Sequence, residues 1–161
     1  MTRVEQKVKY IAGQIGITYI FDNWQTTNVR IESEKLPAMV NVLPVSGSFN
    51  LGRTQLRDYP NCMFAFIDKS ELDFDGSEND EIVERCKGLA KEFILTCNRS
   101  GLFEPIEGDV RYSVVYDRLD VNVTGIVIEL QLREVQGINI CYNKPIKAHF
   151  DEGEDKGGCR C

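Results

Sequence analysis

The sequence has a single histidine, His149, which stands beside a charged, glycine-rich end (147–161) that is expected to be a flexible tail. A histidine-based triad would have to use that residue. A catalytic base needs a fixed orientation, which such an end does not supply. Long apolar runs are also missing. None approaches the ~18 to 20 residues that cross a bilayer, and the opening Met1-Thr2-Arg3-Val4-Glu5-Gln6-Lys7 carries no apolar segment of the signal-peptide kind. Neither a membrane span nor secretion is expected. Positive charge is in deficit, with a formal net charge of −6. This argues against general coating of nucleic acid, because that affinity comes from Lys and Arg neutralising phosphates.

Motifs for common chemistries are absent as well. There is no G-x-S-x-G, Walker A or dinucleotide glycine fingerprint. Gly47-Ser48-Phe49-Asn50-Leu51-Gly52 has glycines but no following Lys-Ser/Thr, so no phosphate cradle is expected. Nothing in the spacing of the acidic residues singles out a carboxylate pair for glycoside chemistry. No catalytic residue, metal ligand or cofactor is assigned, and the chain is not expected to be an enzyme.

The residues that are present describe one packed domain. At 161 residues, 42% hydrophobic and 27% charged, the chain has ordinary globular composition and enough length for one core. Residues 1–146 form this domain and 147–161 the tail. Three disulfides are one reading of Cys62, Cys86, Cys97, Cys141, Cys159 and Cys161. Reduced thiols are preferred without a secretory signal, and Cys86 and Cys97 fall on an apolar helix face as small buried hydrophobes.

Along the chain, Thr2 and Glu5 at capping-box spacing open a helix with Val4, Val8, Ile11 and Ile15 on one stripe, stopped at Gly16. Strands are expected at Ile17–Phe21 and Asn28–Glu32, joined as a hairpin through Asp22–Thr27. Another runs from Ala38 to Leu43 between Pro37 and Pro44. From Pro44 to Cys62 the pattern lapses. Two readings stay open there: an ordered arm without regular structure that packs on a partner, or an extended hairpin of the sheet.

Met63–Ile67 is apolar enough for a central strand. Glu81–Ser100 repeats Ile82, Val83, Cys86, Leu89, Ala90, Phe93, Ile94 and Cys97 at helical spacing, with Gly101 as the stop. Strands follow at Val110–Tyr116 and Val121–Val135 around a turn at 117–120. In the second, the apolar parity switches at Gly125, which predicts a bulge or bend. Ile138–Tyr142 is the last strand. The order predicts an α+β fold: a mixed, mainly antiparallel sheet packed against two helices, with a long arm-like loop.

Two ion-binding candidates arise. Glu71, Asp73, Asp75 and Gly76 follow the start of a calcium loop, but Ile82 occupies the position where a closing Glu is needed. A solvated loop feeding acids to a helix N-terminus explains the same residues. A small metal- or ligand-binding module using the loop 68–81 is the alternative function. Cys159, Cys161 and His149 lack the paired knuckles that specify zinc. More promising are Arg53 and Arg57 among Phe49, Leu51, Leu56 and Tyr59. Arginine and aromatic side chains are enriched at interface anchors, so these six residues are the expected oligomer interface.

The order of elements resembles phage tail-terminator or tail-completion proteins of the head–tail junction. It does so through the N-terminal helix running into Ile17-Thr18-Tyr19-Ile20-Phe21, the strand between Pro37 and Pro44, the helix Glu81–Ser100 and the strand Thr124–Leu132. The resemblance covers residues 1–143 as a pattern. It implies a homo-oligomeric ring that meets a tail tube on one side and a connector or portal-side protein on the other, within the virion and assembled in the host cytoplasm. Its acidic charge suits a lumen through which DNA slides. The cysteine-rich end departs from the pattern.

Overall fold

A computed structural model describes residues 3–71, 75–119 and 122–139. Helix α1 (Val4–Gln14) buries Val8, Ile11 and Ala12 along the expected stripe. Its cap differs from the expected Thr2–Glu5 pair: Gln6 Oε1 accepts the Arg3 N–H at 3.1 Å, and Thr2 lies outside the described residues. Gly16, at φ +70°, ends the helix in the left-handed conformation that glycine takes without strain.

Strand β1 (Thr18–Asp22) follows as expected, but the strand proposed at Asn28–Glu32 does not exist. Residues there form α2 (Trp24–Arg30) and a single 3-10 turn, Ile31–Ser33. The reason lies in Asn23. Its side chain accepts the Thr26 N–H at 2.9 Å and its carbonyl accepts the Thr27 hydroxyl at 2.8 Å, so the polar stretch caps a helix instead of turning a hairpin.

The next two strands are the longest. β2 (Ala38–Leu51) and β3 (Gln55–Lys69) pair antiparallel from Ala38 opposite Ile67 out to Leu51 opposite Leu56, with one register shift between Val42 and Ser46. Of the two readings open for Pro44–Cys62, the hairpin is therefore found, and the long loop is not. Pro44 falls inside the register shift, where a missing ladder N–H is tolerated, and does not close the strand.

Helix α3 (Gly76–Ser100) starts earlier than the expected Glu81. Asp75 caps it by accepting the Ser77 and Glu78 N–H groups at 2.8 and 3.0 Å, while Glu78 reaches back to the Asp75 N–H. Gly101, at φ +66°, ends it. Then come β4 (Tyr112–Arg118), β5 (Val123–Gln131) and a short β6 (Ile138–Asn139). Ile140–Tyr142 of the expected last strand and the tail 147–161 lie outside the described residues.

The sheet order is β1-β2-β3-β5-β4, with β6 on the outer part of β3. β1 runs parallel to β2 and every other pair is antiparallel. The chain is thus α+β with a mixed, mainly antiparallel sheet, but among the described residues three helices flank it and not two. Helices α1 and α3 cover one face, where Phe93 meets Phe64 and Phe66 with ring centroids 5.1 and 5.8 Å apart. Trp24, Ile31 and Leu36 cover part of the other, over Ile20, Val40, Ala65, Ile67, Val123 and Val127.

Two covered faces explain the parity switch in β5. Val123 and Val127 face one side, Ile126 and Ile128 the other, and the β3–β5 register runs through Gly125 unbroken. No bulge interrupts the β3–β5 pairing, but the β4–β5 register shifts directly beside Gly125, between the Val115–Gly125 and Arg118–Val123 pairs. The irregularity lies in β4, between Val115 and Arg118. Gly125 serves close approach: a Cβ on it would sit 2.0 Å from the Phe66 carbonyl oxygen.

Two glycine substitutions should therefore act in opposite directions in urea unfolding. Gly125→Ala, which drives a Cβ into the β3 backbone, should destabilise by about 1–3 kcal/mol. Gly88→Ala, on the exposed side of α3 with nothing within 4 Å of the added Cβ, should stabilise by about 0.5–1 kcal/mol.

Candidate functional site: an arm and the groove at its root

The β1–β2 ladder stops at Val42, so the outer parts of β2 and β3 continue as a hairpin arm. Paired residues share a face and alternate along each strand. Phe49, Leu51, Leu56 and Asp58 therefore lie on the face that also carries α1, and Ile138 joins them opposite Leu56. Phe49 is 76% exposed and Leu51 73% exposed. Arg53 is exposed in the turn at the tip, which the Gly52 N–H closes by donating to the Gln55 carbonyl at 2.9 Å.

Arg57 and Tyr59 fall on the opposite face. Both are engaged by Glu104, whose Oε1 accepts from Arg57 Nη1 at 3.4 Å and from the Tyr59 hydroxyl at 3.1 Å, and the Arg133 guanidinium lies 5.9 Å from the Tyr59 ring centre. The structure thus brings Phe49, Leu51 and Leu56 together, with Arg53 beyond them. It separates Arg57 and Tyr59 from this group.

On the α1 face, the arm's root and the first turn of α1 enclose an open, mainly apolar groove of about 390 Å³. Val4, Phe21, Phe49, Leu56 and Ile138 are among its lining residues, and Asn41, Asp58, Cys62 and Glu134 lie among them. Lys7 of α1 and Glu134 pair at 2.6 Å, both largely buried, and the second Glu134 oxygen accepts the Asp58 N–H at 3.0 Å. Removing either partner would strand a buried charge, at a cost of about 3–5 kcal/mol. This clamp fixes α1 against the arm's root.

Asn41 is 3% exposed. Its Nδ2 donates to the Tyr19 hydroxyl at 2.9 Å, while its Oδ1 has no donor among the described residues. An unmet buried acceptor costs about 1–3 kcal/mol, so the groove contains an acceptor that an incoming N–H or O–H would satisfy. Burial pushes the Tyr19 hydroxyl well above its ordinary range, so it remains protonated. Burial also pushes the Cys62, Cys86 and Cys97 thiols up to about 12 each, which leaves them inert. These three are free thiols, and Cys141, Cys159 and Cys161 lie outside the described residues.

Elsewhere, several carboxylates of the acidic loop already have partners. Asp68 pairs with Arg85 at 3.0 Å, Glu71 with Lys69 at 3.1 Å, and Asp75 caps α3. Asp73 and His149 lie outside the described residues, among which no group of three or more His, Cys, Asp and Glu is placed to hold a metal ion. Among the described residues no helix is long and apolar enough to cross a membrane. On edge strand β4, Tyr112, Val114 and Tyr116 form a second exposed apolar row.

Sequence reasoning missed Asn41, Asp58, Glu134 and the wall formed by α1. Asn41 did leave a signal, as the polar residue inside the apolar run Ala38–Leu43. Lys7 and Glu134 left none, being 127 residues apart. No protein-family model, curated protein or solved structure matches the chain.

Burial and the neighbouring Glu134 carboxylate raise the Asp58 carboxyl above its ordinary 3.8. A folded pKa above the unfolded one means that ionised Asp58 opposes folding at neutral pH, and that this opposition fades as pH falls towards the unfolded value. Asp58→Asn is therefore expected to raise the urea midpoint at pH 7 and to match the wild type below pH 3.8. Denaturation curves at the two pH values check this.

Proposed function

We propose that this chain is a structural subunit of a phage particle. It forms a homo-oligomeric ring at the head–tail junction, as a tail terminator or neck protein, and catalyses no reaction. The observation that carries the reading is the arm: a hairpin continuous with the core sheet that holds Phe49 and Leu51 out in solvent. Clustered exposed apolar side chains on a rigid element favour burial against another protein. The resemblance of the sequence pattern to tail-completion proteins favours the same reading, as does the exposed apolar row on the β4 edge.

In this reading the arm and the β4 edge supply subunit contacts. The two ends of the ring face a tail tube and a connector or portal-side protein, in a virion assembled in the host cytoplasm. DNA meets the protein only by passing through the lumen, which the net charge of −6 keeps from adhering. The alternative of a metal- or ligand-binding module draws no support from the acidic loop, where the carboxylates of Asp68, Glu71 and Asp75 are committed to Lys69, Arg85 and the α3 cap.

Light scattering on the full chain, alone and mixed with the tail-tube and portal-side proteins of its particle, should give a mass several times that of one chain. Phe49→Ser should lower that mass and leave the circular dichroism of the folded chain unchanged, because the side chain is 76% exposed in the single chain. A strictly monomeric wild type under both conditions would contradict the reading.

A further inference from the structure

We propose that the groove at the arm's root receives the arm tip of a second copy of this chain, seating the tip's Leu51 between the apolar walls and its Arg53 against Asp58. This rests on the ring reading above and names the partner surface that the arm requires.

The groove has the form of a receptor for such a tip. Its walls, Val4 and Phe21 on one side and Leu56 and Ile138 on the other, are apolar, which suits a leucine. Among the described residues, its one fully buried side-chain atom without a hydrogen-bond partner is an acceptor, Asn41 Oδ1, which suits an occupant that brings a donor. A hairpin turn brings main-chain N–H groups, and Arg53 brings five more in its guanidinium.

The charges are also complementary. Of the charged residues around the groove, Glu134 is paired with Lys7, and the Arg57 side chain turns to Glu104 on the other face, which leaves Arg3, Glu5 and Asp58. Burial, and then the Glu134 carboxylate beside it, disfavour the ionisation of Asp58. An incoming guanidinium relieves that repulsion. The tip supplies one at Arg53, next to Leu51.

The tip of the same chain cannot be the occupant. Leu51 is paired with Leu56, while Asn41 on the groove floor is paired with Phe64 further down the same ladder. Folding the tip back onto its own root would break the pairing that builds the groove. Strand β6 runs antiparallel to β3 and so leads away from the root towards the tip. The contact is therefore between different surfaces of two copies, a head-to-tail arrangement that closes into a ring or continues as a filament.

Light scattering and sedimentation of the full chain test this with five variants, each checked for folding by circular dichroism. Arg53→Glu, Leu51→Ser and Asp58→Arg should each weaken self-association by at least about tenfold, as expected when an anchor or a desolvated charge partner is lost. The double variant Arg53→Glu/Asp58→Arg should recover the wild-type mass, because the reversed charges meet again across the contact. Leu51 and Arg53 are exposed, so their substitution leaves the fold intact.

A wild-type multimer unchanged by both Arg53→Glu and Leu51→Ser would overturn the groove contact and leave the ring reading standing. Two dissociated single charge variants without recovery in the double would overturn the Arg53–Asp58 pairing. A multimer abolished by Leu56→Asp but kept by Leu51→Ser would put another segment in the groove and overturn the proposal likewise. A wild type that is monomeric throughout would overturn both the contact and the ring.

Discussion

The pairing of β2 with β3 is the constraint from which the rest follows. At its inner end the ladder lies in the core, where Phe64 and Phe66 pack on Phe93 and the run Phe64–Ile67 is buried on both faces. The same two strands then continue outward without a break in pairing other than the shift between Val42 and Ser46. The arm is therefore stiff, since bending it would strain hydrogen bonds that run into the core. Gly47 opposite Pro60 shows how closely the strands approach: an added Cβ would lie 3.0 Å from the Pro60 Cα. The register shift introduces extra β2 residues there, a device that bends a strand and increases its twist.

Around this ladder the two faces of the arm have different chemistry. One face is polar, with Glu104 joining Arg57 and Tyr59 and Arg133 lying over the Tyr59 ring. The other is apolar and is bounded by α1, which the Lys7–Glu134 pair holds in place. Glu134 also accepts the Asp58 N–H, so one carboxylate links the first helix, the arm and the segment after β5. A buried pair of this kind adds little net stability over an apolar substitute, and its contribution here is to fix relative position. In the proposed ring, that position sets the width of the groove.

Parts of the fold were legible because their periodicity is sustained. Helix α3 repeats its apolar residues over many turns, and β3 carries an apolar run that only a doubly covered strand tolerates. The α2 segment misled because Val29 and Ile31 alternate with polar residues as a strand would. Val29 is in fact 77% exposed, and the cap at Asn23 decides the structure. In the arm, Pro44, Gly47, Gly52 and Pro60 resembled the punctuation of a loop. They are strand residues or turn residues placed at a register shift, a close crossing and the hairpin tip. The groove was not legible, since its walls come from α1, β1, the arm and β6, brought together only by tertiary packing.

The central claim is that the outer arm is a surface shared between copies. Hydrogen exchange measured across a concentration series addresses it directly, because no described strand flanks Ser46–Leu51 on its outer side, and these amides lie far from the core. The account requires exchange over 46–56, and over the first turn of α1, to slow together as the chain associates, while α3 is unaffected. Association that leaves both regions exchanging at their dilute rates would show that the boundary lies elsewhere, and would contradict it.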